Sequence, residues 1–208
     1  MAKTRAEAMS ARDLILERIR SGRRESISLV RYVHPVQTND LASLFIEKAK
    51  ASIARVTEIA SPEDAPLAIW AILSAAGNVG RVHVPPQSNL HSFPWHRAPG
   101  LSLVVTPPSG EDTSFSAADY GIAETGTLVF LSGPQTPSSW HFRPGREVVL
   151  LRRDSIVPRL EDVIALIGRA KMPATMNLVT GPSRTADVEQ TIELGAHGPR
   201  EVHILLAG

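Results

Sequence analysis

Two short stretches of the chain place polar groups where the backbone must turn sharply. In Ala123-Glu124-Thr125-Gly126-Thr127 one carboxylate sits between two apolar, strand-like runs, beside two hydroxyls and a glycine. Backbone N–H groups and hydroxyls around a carboxylate hold its charge and tune its pKa. Glu124 can then act as a nucleophile, a general base or the group that fixes a substrate hydroxyl. It can equally be a residue that satisfies a tight turn. The second stretch, Thr180-Gly181-Pro182-Ser183-Arg184-Thr185-Ala186-Asp187, follows the β-branched run 176–180. It reads as a strand that breaks at Gly-Pro and restarts at once as a helix capped by Ser183.

A helix start leaves free N–H donors and a positive partial charge, a ready seat for an anion. Ser183 and Thr185 would add hydroxyls and Arg184 a bidentate fork. The bland alternative is an ordinary connection with a good N-cap. His197 and Arg200, in Ala196-His197-Gly198-Pro199-Arg200, stand on the turn into the last strand and can reach the same anion, although Gly195 and Gly198 also explain that turn as a helix stop. The candidate site is therefore Glu124 as the catalytic group, with Thr125, Gly126, Thr127, Gly181, Ser183, Arg184, Thr185, Asp187, His197 and Arg200 as ligand-binding groups. Residues 124–127 and 181–185 are expected to meet at the carboxyl ends of neighbouring strands, where open α/β sheets bind ligands.

The seven histidines are His34, His83, His91, His96, His141, His197 and His203, and no two are four apart. His91 and His96 share a proline-containing loop but make a weak metal signal, so no metal site is expected. His83 and His203 fall inside strands and read as packed or edge residues. Trp95-His96-Arg97 and Trp140-His141 put aromatics beside histidines in loops, where they either line a pocket or a partner interface or pack beneath their own loops.

The elements that must position these groups alternate. Residues 8–21 read as an amphipathic helix, and a second helical stripe runs from Leu41 to Ile53 behind the cap cluster Thr38-Asn39-Asp40. Residues 22–37 between them have no period and read as a loop or arm. Ser61-Pro62-Glu63 opens a third helix that ends near Gly77. Strands are expected at 55–59, 81–84, 101–106, 127–131, 147–151, 176–180 and 201–206, with helices at 158–169 and about 183–194. The runs holding Phe45 and Trp70 are expected in the core. Strands alternating with helices predict a Rossmann-like open α/β sheet, mostly parallel and covered by helices on both faces, with an antiparallel pairing involving the closely spaced 127 and 147 runs. The boundary falls between an N-terminal helix and arm at 1–37 and an α/β domain at 38–208.

Composition narrows the function. The 208 residues carry 22 basic and 21 acidic side chains, a net charge of +1, which leaves no nucleic-acid footprint. The one basic cluster, Arg18, Arg20, Arg23 and Arg24, reads as a solvated helix end. No apolar run approaches the roughly 20 residues of a membrane span, and the charged N-terminus lacks a signal-peptide core. With no cysteine at all, the chain holds no disulfide, thiol nucleophile or thiolate-bound cluster. A cytoplasmic protein is expected.

The motifs together resemble the LUD-domain family of the lactate-utilization protein C (LutC) type. The matching segments are 119–127, Ser132-Gly133-Pro134, Asp154-Ser155-Ile156-Val157, 180–187 and 194–201, which cover roughly the last 100 residues. The resemblance implies a fold similar to the NagB/RpiA/CoA-transferase class and a part in oxidising L-lactate to pyruvate beside iron–sulfur partner subunits. A cysteine-free chain fits that division, since any cluster would reside in the partners. The ligand would be a small carboxylate or phosphate. The competing expectation is a stand-alone enzyme or sensor that binds a phosphorylated or CoA-linked metabolite at the 181–187 turn.

Overall fold

The computed structural model describes residues 10–22, 40–78, 80–86, 88–168, 172–186, 192–194 and 198–208. The chain divides into two compact units, Met1–Pro35 and Val36–Gly208. In the first, the described residues form helix α1 (Ala11–Ser21), whose cap is Ser10: its hydroxyl oxygen accepts the Asp13 N–H at 3.2 Å. Apart from Gly22, the expected loop or arm lies outside the described residues.

The second unit runs α2 (Leu41–Ala51), β1 (Arg55–Ile59), α3 (Ala65–Ala75), β2 (Arg81–His83), α4 (Ser88–His91), β3 (Ser102–Val104), β4 (Thr113–Ala117), β5 (Tyr120–Ile122), β6 (Thr127–Leu131), α5 (Ser139–Phe142), β7 (Arg146–Arg152), β8 (Ile156–Val157), α6 (Leu160–Ile167), β9 (Met176–Val179), β10 (Arg184–Ala186), β11 (Ile192–Leu194) and β12 (Glu201–Ala207). Six strands form an all-parallel sheet in the order β1-β12-β7-β4-β2-β3. Its central strands β7 and β12 are apolar almost throughout because both of their faces are buried.

Alternate side chains of those strands build two cores. Val148, Leu150 and Leu205 join Phe115 and the α3 residues Ile69 and Leu73 on one face. Val149, Leu151, Ile204 and Leu206 join Phe45 of α2 and Leu128 and Phe130 of β6 on the other. Each fully buried aliphatic side chain contributes about 1.5–3 kcal/mol. Trp70 departs from expectation. Ile69 and Leu73, one helical turn apart, take the sheet-facing side of α3, and Trp70 is turned about 100° away, leaving it 36% exposed.

A second, four-stranded sheet in the order β8-β5-β6-β9 stacks on the α2 face. Its outer side chains, Ile122 and Val129, are covered by Val163 and Ile167 of α6. The antiparallel pairing lies here, between β6 and its neighbours β5 and β9, and not between the 127 and 147 runs. Residues 146–152 instead pair in parallel with β4 and β12. A strand as apolar as β7 needs burial on both faces, and only the centre of the large sheet supplies that.

The expected helix at 183–194 is absent among the described residues. Arg184–Ala186 and Ile192–Leu194 form an antiparallel ribbon. Thr185, Thr191 and Ile192 are β-branched and resist helix, and Ser183 is followed at the third position by Ala186, with no acid or amide to complete a capping box.

Helix α2 ends in a Schellman motif, with Ile53 N–H bonded to the Lys50 carbonyl at 2.9 Å and Ala54 N–H to that of Ala49 at 3.0 Å. The left-handed position, normally glycine, is Ile53 at φ 67°, and its side chain is 57% exposed. A β-branched residue there is strained. Ile53→Gly is expected to stabilise the protein by about 1 kcal/mol, strain relief exceeding the entropy cost of glycine. A urea midpoint equal to or below wild type would contradict this.

Candidate functional site

The Glu124 motif is the turn of the β5–β6 hairpin, residues 123–126. The Ala123 and Glu124 N–H groups donate to the carbonyls of Val157 and Pro158, at 2.9 and 3.2 Å, and Gly126 N–H donates to Ile122. Gly126 has φ 68°, and a Cβ there would overlap the backbone of Lys48 and Ala49 in α2. Gly181, at φ 76°, stands in the same relation to the Ser52 carbonyl. Both glycines therefore permit a close approach to the last turn of α2. The hydroxyls of Thr125, Thr127 and Thr180 form a chain with two contacts of 2.7 Å. Glu124 is half-buried, and its carboxylate makes no hydrogen bond or ion pair with any described residue.

The two motifs are thus neighbours. Strands β5 and β9 run alongside each other on either side of β6, so their carboxyl ends lie together where Thr127 meets Thr180. Relative to the six-stranded sheet the position is the opposite of the one expected. Gly181 abuts Ser52, just ahead of β1, and the Ser183 N–H donates to Pro199 at 2.8 Å, just ahead of β12. These are the amino ends of the parallel strands. The reason is that the motif strands belong to the second sheet, whose direction the alternation in the sequence does not reveal.

With β10 in place of a helix, the 181–185 turn is not a helix start and offers no positive helix end to an anion, and the Ser183 amide is taken by Pro199. Arg184 is exposed. Arg200 does not approach the turn through any described contact; it pairs with Glu111 beside Gly145. Thr185 lies in β10, opposite Glu193. Asp187 and His197 fall outside the described residues.

A second cluster was not singled out as a site from the sequence. Glu147, at the start of β7, is fully buried. Its Oε1 lies 2.6 Å from His141 Nδ1 and accepts the Ser116 hydroxyl at 3.1 Å, while Oε2 is buried with no partner among the described residues. The His141 ring stacks on Phe130, centroids 3.8 Å apart. His141, Ser116 and Phe130 line a small crevice together with Trp140, Asp119 and Pro85. The Asp119 carboxylate opens to solvent at its edge. The surrounding protein raises its pKa above the ordinary range, against the pull of the Leu131 N–H that it accepts at 2.7 Å. A glutamate inside the run Glu-Val-Val-Leu-Leu, buried in a central strand, is the signal that marks this cluster. Of the two aromatic–histidine pairs, Trp140-His141 lines the crevice, whereas Trp95 packs edge-on against Phe115, at 5.7 Å, and donates to Leu90.

Other titratable groups are structural. Arg146 grips Glu201 with two hydrogen bonds of 3.1 Å and holds its carboxyl down at about 2, with His203 assisting. Burial lowers the pKa of His203. His83 is buried against the Thr106 carbonyl, and His91 bonds Pro85. Among the described residues no three His, Asp or Glu side chains converge as a metal site, and no helix is long and apolar enough to cross a membrane.

Residues 110–207, from the loop before β4 to the end of β12, match the LUD domain family. This part of the chain is similar to LUD domains. It holds both the Glu124 hairpin and the His141 crevice. Among similar proteins, Lactate utilization protein C of Halalkalibacterium halodurans is 31% identical over 110 residues, which is 50% of this chain and 47% of that protein. Lactate utilization protein C of Anoxybacillus flavithermus is 35% identical over 82 residues, 39% of this chain and 37% of that protein. The match spans less than half the length of each of these relatives. The fold resembles the crystal structure of a DUF162 family protein from Deinococcus radiodurans, with TM-score 0.59 and 19% identity, covering 84% of this chain and all of that one.

Proposed function

We propose that this chain is a LutC-like component of a lactate-oxidising assembly: it binds a small carboxylate and contributes no redox centre, the iron–sulfur clusters being carried by partner subunits. The observation that carries the reading is the match of the LUD domain to proteins named Lactate utilization protein C. The absence of cysteine from the sequence supports the division of labour.

The site on this reading is the Glu124 hairpin with Thr125, Thr127 and the 180–184 turn. Glu124 carries a carboxylate without a partner among the described residues, and the linked hydroxyls of Thr125 and Thr127 follow it in the chain. Such a group accepts the hydrogen of a substrate hydroxyl or takes up its proton. Exposed Arg184 supplies a guanidinium for the substrate carboxylate. The rival reading, a phosphorylated or CoA-linked metabolite seated on a helix start, loses its main support where Arg184–Ala186 is a strand.

Copurification with cluster-bearing subunits, scored by visible absorbance and lactate-dependent dye reduction, tests the proposal. The wild-type assembly is expected to reduce dye, and Glu124→Gln is expected to lower the rate at least tenfold with the assembly intact, within the usual range for losing an acid–base group. An assembly that forms and turns over equally with Glu124→Gln would remove Glu124 from the chemistry. Failure to capture any cluster-bearing partner would remove the assembly.

A further inference from the structure

Helix α1 folds without burying any of its residues, and Leu14, Ile15 and Ile19 stand 55%, 60% and 70% exposed. Large aliphatic side chains gathered on one short helix differ from the scattered single exposures that soluble surfaces tolerate. With about 100° per residue, Ala11, Ile15 and Ile19 fall on one line along the helix, and Leu14 and Leu16 flank it on either side.

The charges are sorted around that stripe. Arg12 and Arg18 lie roughly 60° to either side of Ile15, at the borders of the apolar face. Asp13 and Glu17 lie about 160° away, on the far side, with Arg20 beside them. Arginines therefore frame the stripe, and both carboxylates face away from it. Long arginine stems cover apolar surface while their guanidinium heads reach outward to phosphate. A flat anionic surface fits this order: apolar side chains enter it, arginines meet its charge and the acids stay in water.

The charge of the whole unit agrees. Met1–Pro35 carries eight basic and four acidic side chains, whereas the rest of the chain carries fourteen and seventeen. The cationic excess thus belongs to the helix and its neighbours in sequence, Arg23 and Arg24 among them. The same sorting opposes a pairing with α1 of a second copy. Two such helices joined by their apolar stripes would line the seam with arginines and leave the carboxylates outside it.

We propose that α1 is an interfacial anchor that lies in the headgroup plane of an anionic phospholipid membrane, with Ala11, Ile15 and Ile19 entering the acyl boundary and Arg12 and Arg18 meeting lipid phosphates. Contact is reversible, because one short helix buries little apolar area and relies on charge that salt screens. The anchor does not depend on the Glu124 reading, and its failure would leave that reading untouched.

Flotation of the full chain with lipid vesicles tests the anchor. At low salt, binding to vesicles with about one-third phosphatidylglycerol is expected to exceed binding to pure phosphatidylcholine at least tenfold. It should fall by a similar factor at about 0.5 M salt. Ile15→Gln with Ile19→Gln removes the apolar stripe and keeps the charge; Arg12→Gln with Arg18→Gln does the reverse. Each pair is expected to weaken binding about tenfold. The urea midpoint should not move, since no α1 side chain is buried. Glu17→Gln, on the far side, is expected to bind at least as well as wild type. Wild type that ignores anionic vesicles, or an isoleucine variant that binds them like wild type, would overturn the proposal. So would a dimer abolished by the isoleucine substitutions, or an acidic protein partner lost with the arginines, in a chain that floats with no vesicle.

Discussion

Gly126→Ala is expected to destabilise the protein by about 2–5 kcal/mol. One part is the cost of placing a side chain at φ 68°, roughly 1–2 kcal/mol. The rest is steric: the new Cβ would overlap the Ala49 nitrogen and the Lys48 carbonyl carbon, both helix backbone that cannot rotate aside, an overpacking cost of about 1–3 kcal/mol. Gly77 supplies the control. It has φ 67° and nothing within 4 Å of the place a methyl group would take, so Gly77→Ala carries only the conformational cost. Urea unfolding of the two variants isolates the close approach to α2. Equal midpoints would show that the hairpin does not seat on the helix, and would return Gly126 to the role of a ligand-facing glycine.

Loss of the buried acid should be as costly. Glu147→Ala strips the acceptor from His141 Nδ1 and from the Ser116 hydroxyl at a fully buried position, and breaking a buried pair by removing one member costs about 3–5 kcal/mol. Glu147→Gln retains a carbonyl acceptor for both donors and is expected to cost about 1–2 kcal/mol. The double replacement Glu147→Leu with His141→Phe removes the polar pair altogether. It should unfold at a higher denaturant concentration than Glu147→Ala, because the imidazole is no longer left without its acceptor and only the Ser116 hydroxyl loses a partner. If Glu147→Ala and Glu147→Gln lose the same stability, the hydrogen-bonded pair is not what makes the residue matter.

Much of the architecture was legible in the sequence because it is written locally. β7 and β12 are long apolar runs, and such runs bounded by turn residues belong in the buried centre of a parallel sheet. Helix α2 announced itself by the Asp40 cap, which accepts the Ser43 N–H at 3.0 Å, and by its apolar period. The pairing of β6 with β9 brings the hairpin turn to the end of β9, where the hydroxyls of Thr127 and Thr180 meet.

Other features depend on groups far apart in sequence. β4, Thr113-Ser-Phe-Ser-Ala, lacks the apolar pattern of a strand, yet Ser114 and Ser116 are buried because they share a face with Glu147. β5 is too short for a period to show. The segment after Ser183 carries a helix-like opening, but its amide is bound by Pro199 and its strand by residues 192–194, so tertiary pairing overrode the local signal. Glycines 126 and 181 declared that the backbone must turn or be approached, and only the folded chain decided that the approaching object is helix α2. The His141 crevice is the clearest case. Its imidazole sits on a short helix, its carboxylate in a central strand and its aromatic wall in another sheet. Local periodicity specifies which face of an element is apolar; which polar groups end up sharing one buried volume is set by how the sheets stack, where unpaired charge is costly and each donor must find its acceptor.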